Sequence, residues 1–380
     1  MSNNKNNILV FSDWYLPGFK AGGPIRSLAN LVATLDHNFY IVTRITDHHS
    51  TEAYPGVVAD CWTQISDRVK VYYCSPKKIK GEIFEKLIRE IGPDKIYLNS
   101  LFSPSFTLTP LRVARKLKLQ NMCIVAPRGM LKPGALSIKS KKKKFFLFTA
   151  KLIGLYKGVI WHATNEEEIT EIKFHFSNSA DVRLSVNLPS HSGDMPTKSA
   201  KIPGELKLIC IARISKEKGI LETLQYIKAA ELKGKVSCDF YGTEQDRKYL
   251  EDCLAVAGSI PNVIIHFHGE INPTLIPEII SDKHFFIMCT WGENFGHAIS
   301  EALNLATPVI ISNRTPWRNL KNKNAGWDLP HIEKEFSEIL KKCLVMDNEE
   351  YKVLSQGAFE LGKEVSRNPE SVQLALRLFS

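Results

Sequence analysis

The chain has 380 residues, 44% of them hydrophobic, and 50 Lys and Arg against 40 Asp and Glu give a formal charge of +10. That length is too great for one typical core and suits two domains. No run reaches the ~20 apolar residues that span a bilayer, and the positive balance favours an anionic partner such as a nucleotide, a phospholipid surface or a nucleic acid.

From the amino terminus, a polar lead enters a strand at Ile8–Phe11 without the apolar core or cleavage site of a signal peptide. A loop with Pro17, Gly18, Gly22, Gly23 and Pro24 follows, then a helix over 25–35 with Leu28, Leu31, Val32 and Leu35 on one face. Strands are expected at 40–43, 69–73, 95–99 and 123–126, with helices at 83–91 and 110–117 between them. Thr164 and Glu167 resemble a capping box that starts a further helix. This alternation predicts a mostly parallel sheet covered on both faces.

The second half repeats the theme. Strands are expected at 207–211, 236–241, 263–269, 283–289 and 308–311, and helices at 220–230, 246–257 and 274–280. A segment rich in Ser, Pro and Gly over 188–204 reads as a linker. The expected organisation is a first α/β domain over 1–187, a linker over 188–204, a second domain over 205–365 and a terminal helix within 366–380 that docks back on the first domain. A cleft between two such domains follows naturally. Eight scattered cysteines with no zinc spacing favour a reducing, cytoplasmic setting.

Several loops at strand ends carry residues suited to a ligand. Gly22 and Gly23 let backbone N–H groups approach a phosphate, although the spacing is not that of a dinucleotide-binding turn. A tight turn before Pro24 is the alternative. Arg213 and Lys218 lie around a strand-to-helix loop and could neutralise a diphosphate, or could belong to a solvated first helical turn. Glu293 and Glu301 are eight residues apart, and Asn294, Phe295 and Gly296 between them open a helix whose N–H groups would face an anion. Arg128 follows a strand in the first half as a cation aimed at a ligand, and His162 sits at a strand end as a site residue or a structural one. From Lys139 to Lys144, five lysines surround one serine, and Phe145-Phe146-Leu147-Phe148 follows. That segment suits an anionic membrane surface, or a solvated turn before a buried helix. No helix-turn-helix, zinc finger or RNA-binding motif supports a nucleic-acid partner.

Taken together, Ala212–Gly219, the E-x7-E stretch from Glu293 to Glu301 and Gly22-Gly23-Pro24 resemble retaining glycosyltransferases of the GT-B, family 4 type, which include enzymes of O-antigen, capsule and other polysaccharide assembly. The resemblance implies two Rossmann-like domains facing a cleft and a nucleotide-diphosphate sugar as donor. It implies that Arg213 and Lys218 contact the diphosphate and Glu293 the sugar hydroxyls. Glu301 would hold the ribose, and Asn294, Phe295 and Gly296 would line the sugar and phosphate. Gly22 and Gly23 would close over the donor, and His268 and Gly269 would lie by the base. The acceptor would be a saccharide, free or polyprenyl-linked, with peripheral attachment to the inner membrane face as one option. No cofactor is expected, and no metal, since no D-x-D pair ends a strand. The resemblance departs at Asn99, Ser100 and Ser103, where many relatives carry a histidine, and at Tyr241-Gly242-Thr243, where an acidic glycine-rich turn is commoner. The stretch from Thr315 to Leu320 resembles a subset of polysaccharide-assembly transferases. A catalytically inactive nucleotide-sugar-binding protein, a phosphorylase or an epimerase of the same fold are the alternatives.

Overall fold

The computed structural model describes residues 5–132, 136, 140–190 and 193–380. Lys139, the first lysine of the basic stretch, lies outside them. The chain forms two compact units: residues up to Leu188 together with Pro369–Ser380, and Pro189–Asn368.

Among the described residues, unit 1 has eight strands: β1 (Asn7–Phe11), β2 (Asn38–Arg44), β3 (Trp62–Ser66), β4 (Val69–Cys74), β5 (Lys95–Leu98), β6 (Cys123–Val125), β7 (Ile160–Ala163) and β8 (Asp181–Leu184). Their order is β3-β4-β2-β1-β5-β6-β7-β8, and only β3 runs antiparallel to its neighbour. The apolar run Ile8–Phe11 is buried on both faces because side chains alternate. Leu9 and Phe11 join Leu98, Val125 and Trp161 on one side. Ile8 and Val10 join Tyr97, Ile124 and Ile160 on the other, where Ala375, Leu378 and Phe379 of the terminal segment complete the core.

The helices are α1 (Gly23–Thr34), α2 (Gly81–Ile91), α3 (Thr109–Lys116), α4 (Ser140–Leu152) and α5 (Glu166–His175), with a last helix at Pro369–Leu378. Gly22 caps α1 with φ 68°, a left-handed value that a glycine reaches without strain, and Pro24 sets the first turn. The start of α5 corrects the expected capping box by one residue. Asn165, not Thr164, is the N-cap and accepts from the Glu168 N–H, while the Glu168 carboxylate turns back to Thr164. The lysine stretch is not a turn. Residues 140–152 are helical, and Phe145, Phe148 and Leu152 are exposed rather than buried.

Unit 2 has, among the described residues, six parallel strands: β9 (Glu205–Ile211), β10 (Lys235–Tyr241), β11 (Val263–Gly269), β12 (Phe285–Met288), β13 (Val309–Ser312) and β14 (Gly326–Leu329). They lie in the order β11-β10-β9-β12-β13-β14. Flanking helices are α6 (Ile220–Ala229), α7 (Arg247–Gly258), α8 (Ile276–Ser281), α9 (His297–Asn304), α10 (Glu333–Val345) and α11 (Asn348–Ser366). Leu208, Phe285, Ile310 and Phe336 anchor one continuous core. The buried Lys201 ammonium donates to the carbonyls of Ile202, Leu344 and Met346, which ties residues ahead of β9 to the end of α10.

Gly219 carries φ 64°, and a side chain there would strike the Cys289 carbonyl. Gly219→Ala is therefore expected to destabilise unit 2 by at least about 2 kcal/mol, from the left-handed backbone and the collision together. Gly258, at the end of α7 with open space around it, is the control. Its replacement by Ala is expected to be neutral or stabilising by up to about 1 kcal/mol, and urea denaturation separates the two.

Candidate functional site

In a parallel sheet every strand delivers its following loop to the same edge. β9 and β12 are neighbours, and β13 lies beside β12. Their loops are stitched together. Trp291 N–H and Thr290 Oγ both donate to the Glu217 carbonyl, at 2.8 and 3.0 Å. Glu293 N–H donates to the Arg314 carbonyl at 3.1 Å. The turn at Lys216–Lys218 thus lies directly against the segment that leads into α9.

This arrangement brings Lys218 and Glu293 into contact. The Lys218 ammonium sits 2.5 Å from Glu293 Oε1, and the two side chains are only 12% and 14% exposed. Arg213 stands at the start of the same loop, more open, with Glu217 Oε2 3.6 Å from its guanidinium. Asn294 and Phe295 follow Glu293 directly. Gly296 caps α9 with φ 79°, no side chain caps that helix, and its first turn holds no acidic residue. The positive end of a helix therefore opens beside the Lys218–Glu293 pair. Trp317 holds the segment in place: its indole N–H donates to the Phe295 carbonyl at 2.5 Å, and the two rings lie 5.6 Å apart. Glu301 is on the second turn of α9. The geometry gathers Arg213, Lys218, Glu293, Asn294, Phe295 and Gly296 in one place.

His268 and Gly269 end β11, at the far side of the same edge. The imidazole is taken up by a carboxylate, with Nε2 2.6 Å from Asp239 Oδ1, and Lys283 holds the other oxygen at 2.7 Å. Burial raises the Asp239 pKa, but the hydrogen bonds from His268 and Lys283 outweigh it, and the net direction is down. The Tyr241 ring stacks on His268 at 4.4 Å, nearly parallel. Gly242 comes so close to Ala212 that a side chain would strike its carbonyl. This explains how a Tyr-Gly-Thr turn packs there.

In unit 1 the Gly22-Gly23 loop is fixed by Asp47, whose carboxylate accepts from the Phe19 and Lys20 N–H groups at 2.9 and 3.2 Å. Sequence reasoning missed Asp47, whose one signal is an acidic residue just past a strand. A side chain at 22 or 23 would meet nothing within 4 Å, so the approach to this backbone is open. Asn99 bridges to the same loop, donating to Ser12 Oγ at 3.2 Å and to the Pro24 carbonyl at 3.4 Å. Ser100 and Ser103 are buried, and the Ser103 hydroxyl caps the turn at Phe106.

His162 is a core residue. Its Nε2–H donates to the Ser185 carbonyl at 2.7 Å, so Nδ1 accepts from the Tyr97 hydroxyl, also at 2.7 Å. Burial, with the Arg128 charge second, lowers its pKa to about 3.

Residues 193–358 match the family of Glycosyl transferases group 1. No curated protein matches the chain. A sucrose-phosphate synthase from Thermosynechococcus elongatus is similar over 98% of this chain and 97% of its own, with a TM-score of 0.68 at 17% identity. HepE from Anabaena, in complex with UDP and glucose, is similar over 98% of both chains, with a TM-score of 0.63 at 14% identity. WaaG, a glycosyltransferase involved in lipopolysaccharide biosynthesis, is similar over 98% of both chains at 12% identity, with a TM-score of 0.62. The chain has the GT-B fold, and its second unit is related to the glycosyl transferases group 1.

Two outcomes follow from this geometry. Glu293→Gln removes the charge that neutralises Lys218 and is expected to tighten inorganic pyrophosphate about tenfold, or ~1.4 kcal/mol by isothermal calorimetry. For His162, the unfolded chain takes up a proton below pH 6.5 that the folded chain refuses until about pH 3. Stability from this residue is thus complete above pH 6.5 and falls on acidification by about 1.4 kcal/mol per pH unit. Urea midpoints of His162→Gln between roughly pH 6 and 4 are expected to lack that slope.

Proposed function

We propose that the chain is a retaining glycosyltransferase that moves a sugar from a nucleotide-diphosphate donor to a saccharide acceptor in cell-surface polysaccharide synthesis. The observation that carries this reading is the Lys218–Glu293 contact beside Arg213 and the amino end of α9. Two cations and a helix terminus suit a diphosphate, and a carboxylate next to them suits sugar hydroxyls. The match of residues 193–358 to the glycosyl transferases group 1 supports the same reading.

In this scheme Arg213 and Lys218 hold the diphosphate as the anomeric C–O bond breaks and charge builds on the leaving oxygen. Cations already in position stabilise that charge more in the transition state than in the ground state. Glu293 orients the sugar, Asn294, Phe295 and Gly296 line it, Glu301 holds the ribose, and His268 and Gly269 lie by the base. The acceptor oxygen bonds to the anomeric carbon on the face the phosphate leaves, and its proton passes to the departing phosphate oxygen. Gly22 and Gly23 offer open backbone to a phosphate.

The acceptor is proposed to be lipid-linked and to be met at an anionic membrane. Phe145, Phe148, Leu152 and Ile153 at α4 and Phe174 of α5 are all exposed. Lys144, Leu147, Phe148, Lys151, Phe174 and His175 line one shallow depression. Exposed aromatic rings among lysines suit anionic headgroups, at about 1 kcal/mol per lysine near the surface. Among the described residues no helix is long and apolar enough to cross a membrane.

The deciding experiment is a screen of nucleotide sugars for transfer, with calorimetry on UDP and GDP. Glu293→Ala is expected to abolish transfer while nucleotide binding survives, and full activity in that variant removes Glu293 from the reaction. Arg213→Ala with Lys218→Ala is expected to lose diphosphate affinity, with each lost contact costing about 2.7–4 kcal/mol in the transfer step. Unchanged nucleotide binding there rejects the site. For the membrane, Phe145→Ser with Phe148→Ser is expected to abolish co-sedimentation with phosphatidylglycerol vesicles. Equal sedimentation of variant and native chain rejects the surface.

A further inference from the structure

We infer that unit 1 holds a separate binding site for a phosphate-bearing group, centred on the Arg128 guanidinium at the carboxyl edge of β5–β8. Arg128 follows β6 in the left-handed region, with φ 55°. That conformation is strained for a non-glycine residue and concentrates at binding sites. The side chain reaches across the strand ends. Nε donates to Asn99 Oδ1 at 2.9 Å, Nη1 to Asn187 Oδ1 at 2.6 Å and Nη2 to the Tyr97 hydroxyl at 2.8 Å. The three acceptors come from the ends of β5 and β8 and from within β5.

All three are neutral. Glu168 spends its carboxylate on the Gly129 N–H and on the Thr164 N–H and hydroxyl, and among the described residues no carboxylate pairs with Arg128. Below Tyr97, the neutral His162 completes the stack without adding a negative charge. A half-buried cation held by neutral groups has lost part of its hydration and gained no counter-charge. Nη1 and Nη2 each retain a second N–H, and among the described residues neither has a partner. A planar fork with two spare donors fits two oxygens of one phosphate. Asn99 joins this fork to the Pro24 carbonyl at the start of α1, a helix with no acidic residue in its first turn, so the surroundings favour an anion as well.

The site itself stands on this geometry. That its phosphate belongs to the acceptor rests on the transferase reading. The acceptor would then be a phosphorylated saccharide, either soluble or lipid-linked.

The test uses the full chain with Arg213→Ala and Lys218→Ala in place, so that the basic pair of unit 2 does not contribute. Inorganic phosphate is expected to raise the thermal unfolding midpoint in a saturable way relative to Mes buffer of equal ionic strength. Asn187→Asp sets a carboxylate against Nη1. It is expected to leave the midpoint in Mes equal or higher and to weaken phosphate at least tenfold. Arg128→Gln is expected to abolish the phosphate response; if it does not fold, Asn187→Asp decides alone. Glucose 6-phosphate and phosphatidylcholine vesicles carrying farnesyl phosphate distinguish the two sources, and a response to either that Asn187→Asp weakens supports the site. A phosphate response equal with and without Asn187→Asp, or no response to any of the three probes, overturns it. Calorimetry of UDP and GDP on the native chain is the separate readout. If neither nucleotide binds while the phosphate response follows Arg128, the transferase reading falls and the phosphate site stands.

Discussion

Lys218 and Glu293 are charges that water scarcely reaches, and each loses several kcal/mol of hydration at that depth. Their contact offsets the loss only while both loops stay in register. The pair therefore holds the turn after β9 and the segment before α9 to one geometry. It also stores a choice: the ammonium can trade the carboxylate for another anion, and the carboxylate can trade the ammonium for hydroxyl groups. Under the proposed function, the structural ion pair and the donor site are the same two side chains.

Backbone approach makes the pair possible. Gly219 faces the Cys289 carbonyl and Gly242 the Ala212 carbonyl without room for a side chain. Adjacent parallel strands then deliver their loops close enough for Glu217 to accept from both Thr290 and Trp291. Unit 1 follows the same plan with different chemistry. Its glycine loop hangs from Asp47, and its strand ends are joined by one guanidinium and three neutral acceptors.

Much of this was legible in the residues. Apolar runs such as Ile8–Phe11 and Phe285–Met288 read as strands buried on both faces, and their spacing by helical segments points to an α/β fold. The loop residues from Arg213 to Glu301 stood out because glycines and charges interrupt those runs at strand ends. What escaped lacks such contrast. β8 is Asp-Val-Arg-Leu on an outer edge, half exposed, with too few apolar residues to register. β14 is only four residues long, and α10 and α11 mix charge and apolar residues over a long stretch that only Asp347 and Asn348 interrupt. The bond from Tyr97 to His162 and that from Arg128 to Asn187 span 65 and 59 residues. Local pattern carries no trace of partners so far apart. For the lysine-rich helix the residues left two readings open, aromatics exposed beside lysines or aromatics buried as core, and only the placement of α4 puts Phe145 and Phe148 outside.

Unit 1 is discontinuous in the chain. Arg183 donates to the carbonyls of Arg377, Leu378 and Ser380, and Phe379 packs against Phe39 and Tyr97. On the ribosome the first sheet therefore emerges with one flank of its core uncovered, and that flank stays bare while all of unit 2 is being made. Unit 2 is one uninterrupted stretch and can close as soon as it is released. The order of synthesis and the order of completion are reversed in this molecule, and the apolar face that receives Ala375, Leu378 and Phe379 is the last part of the first core to be covered.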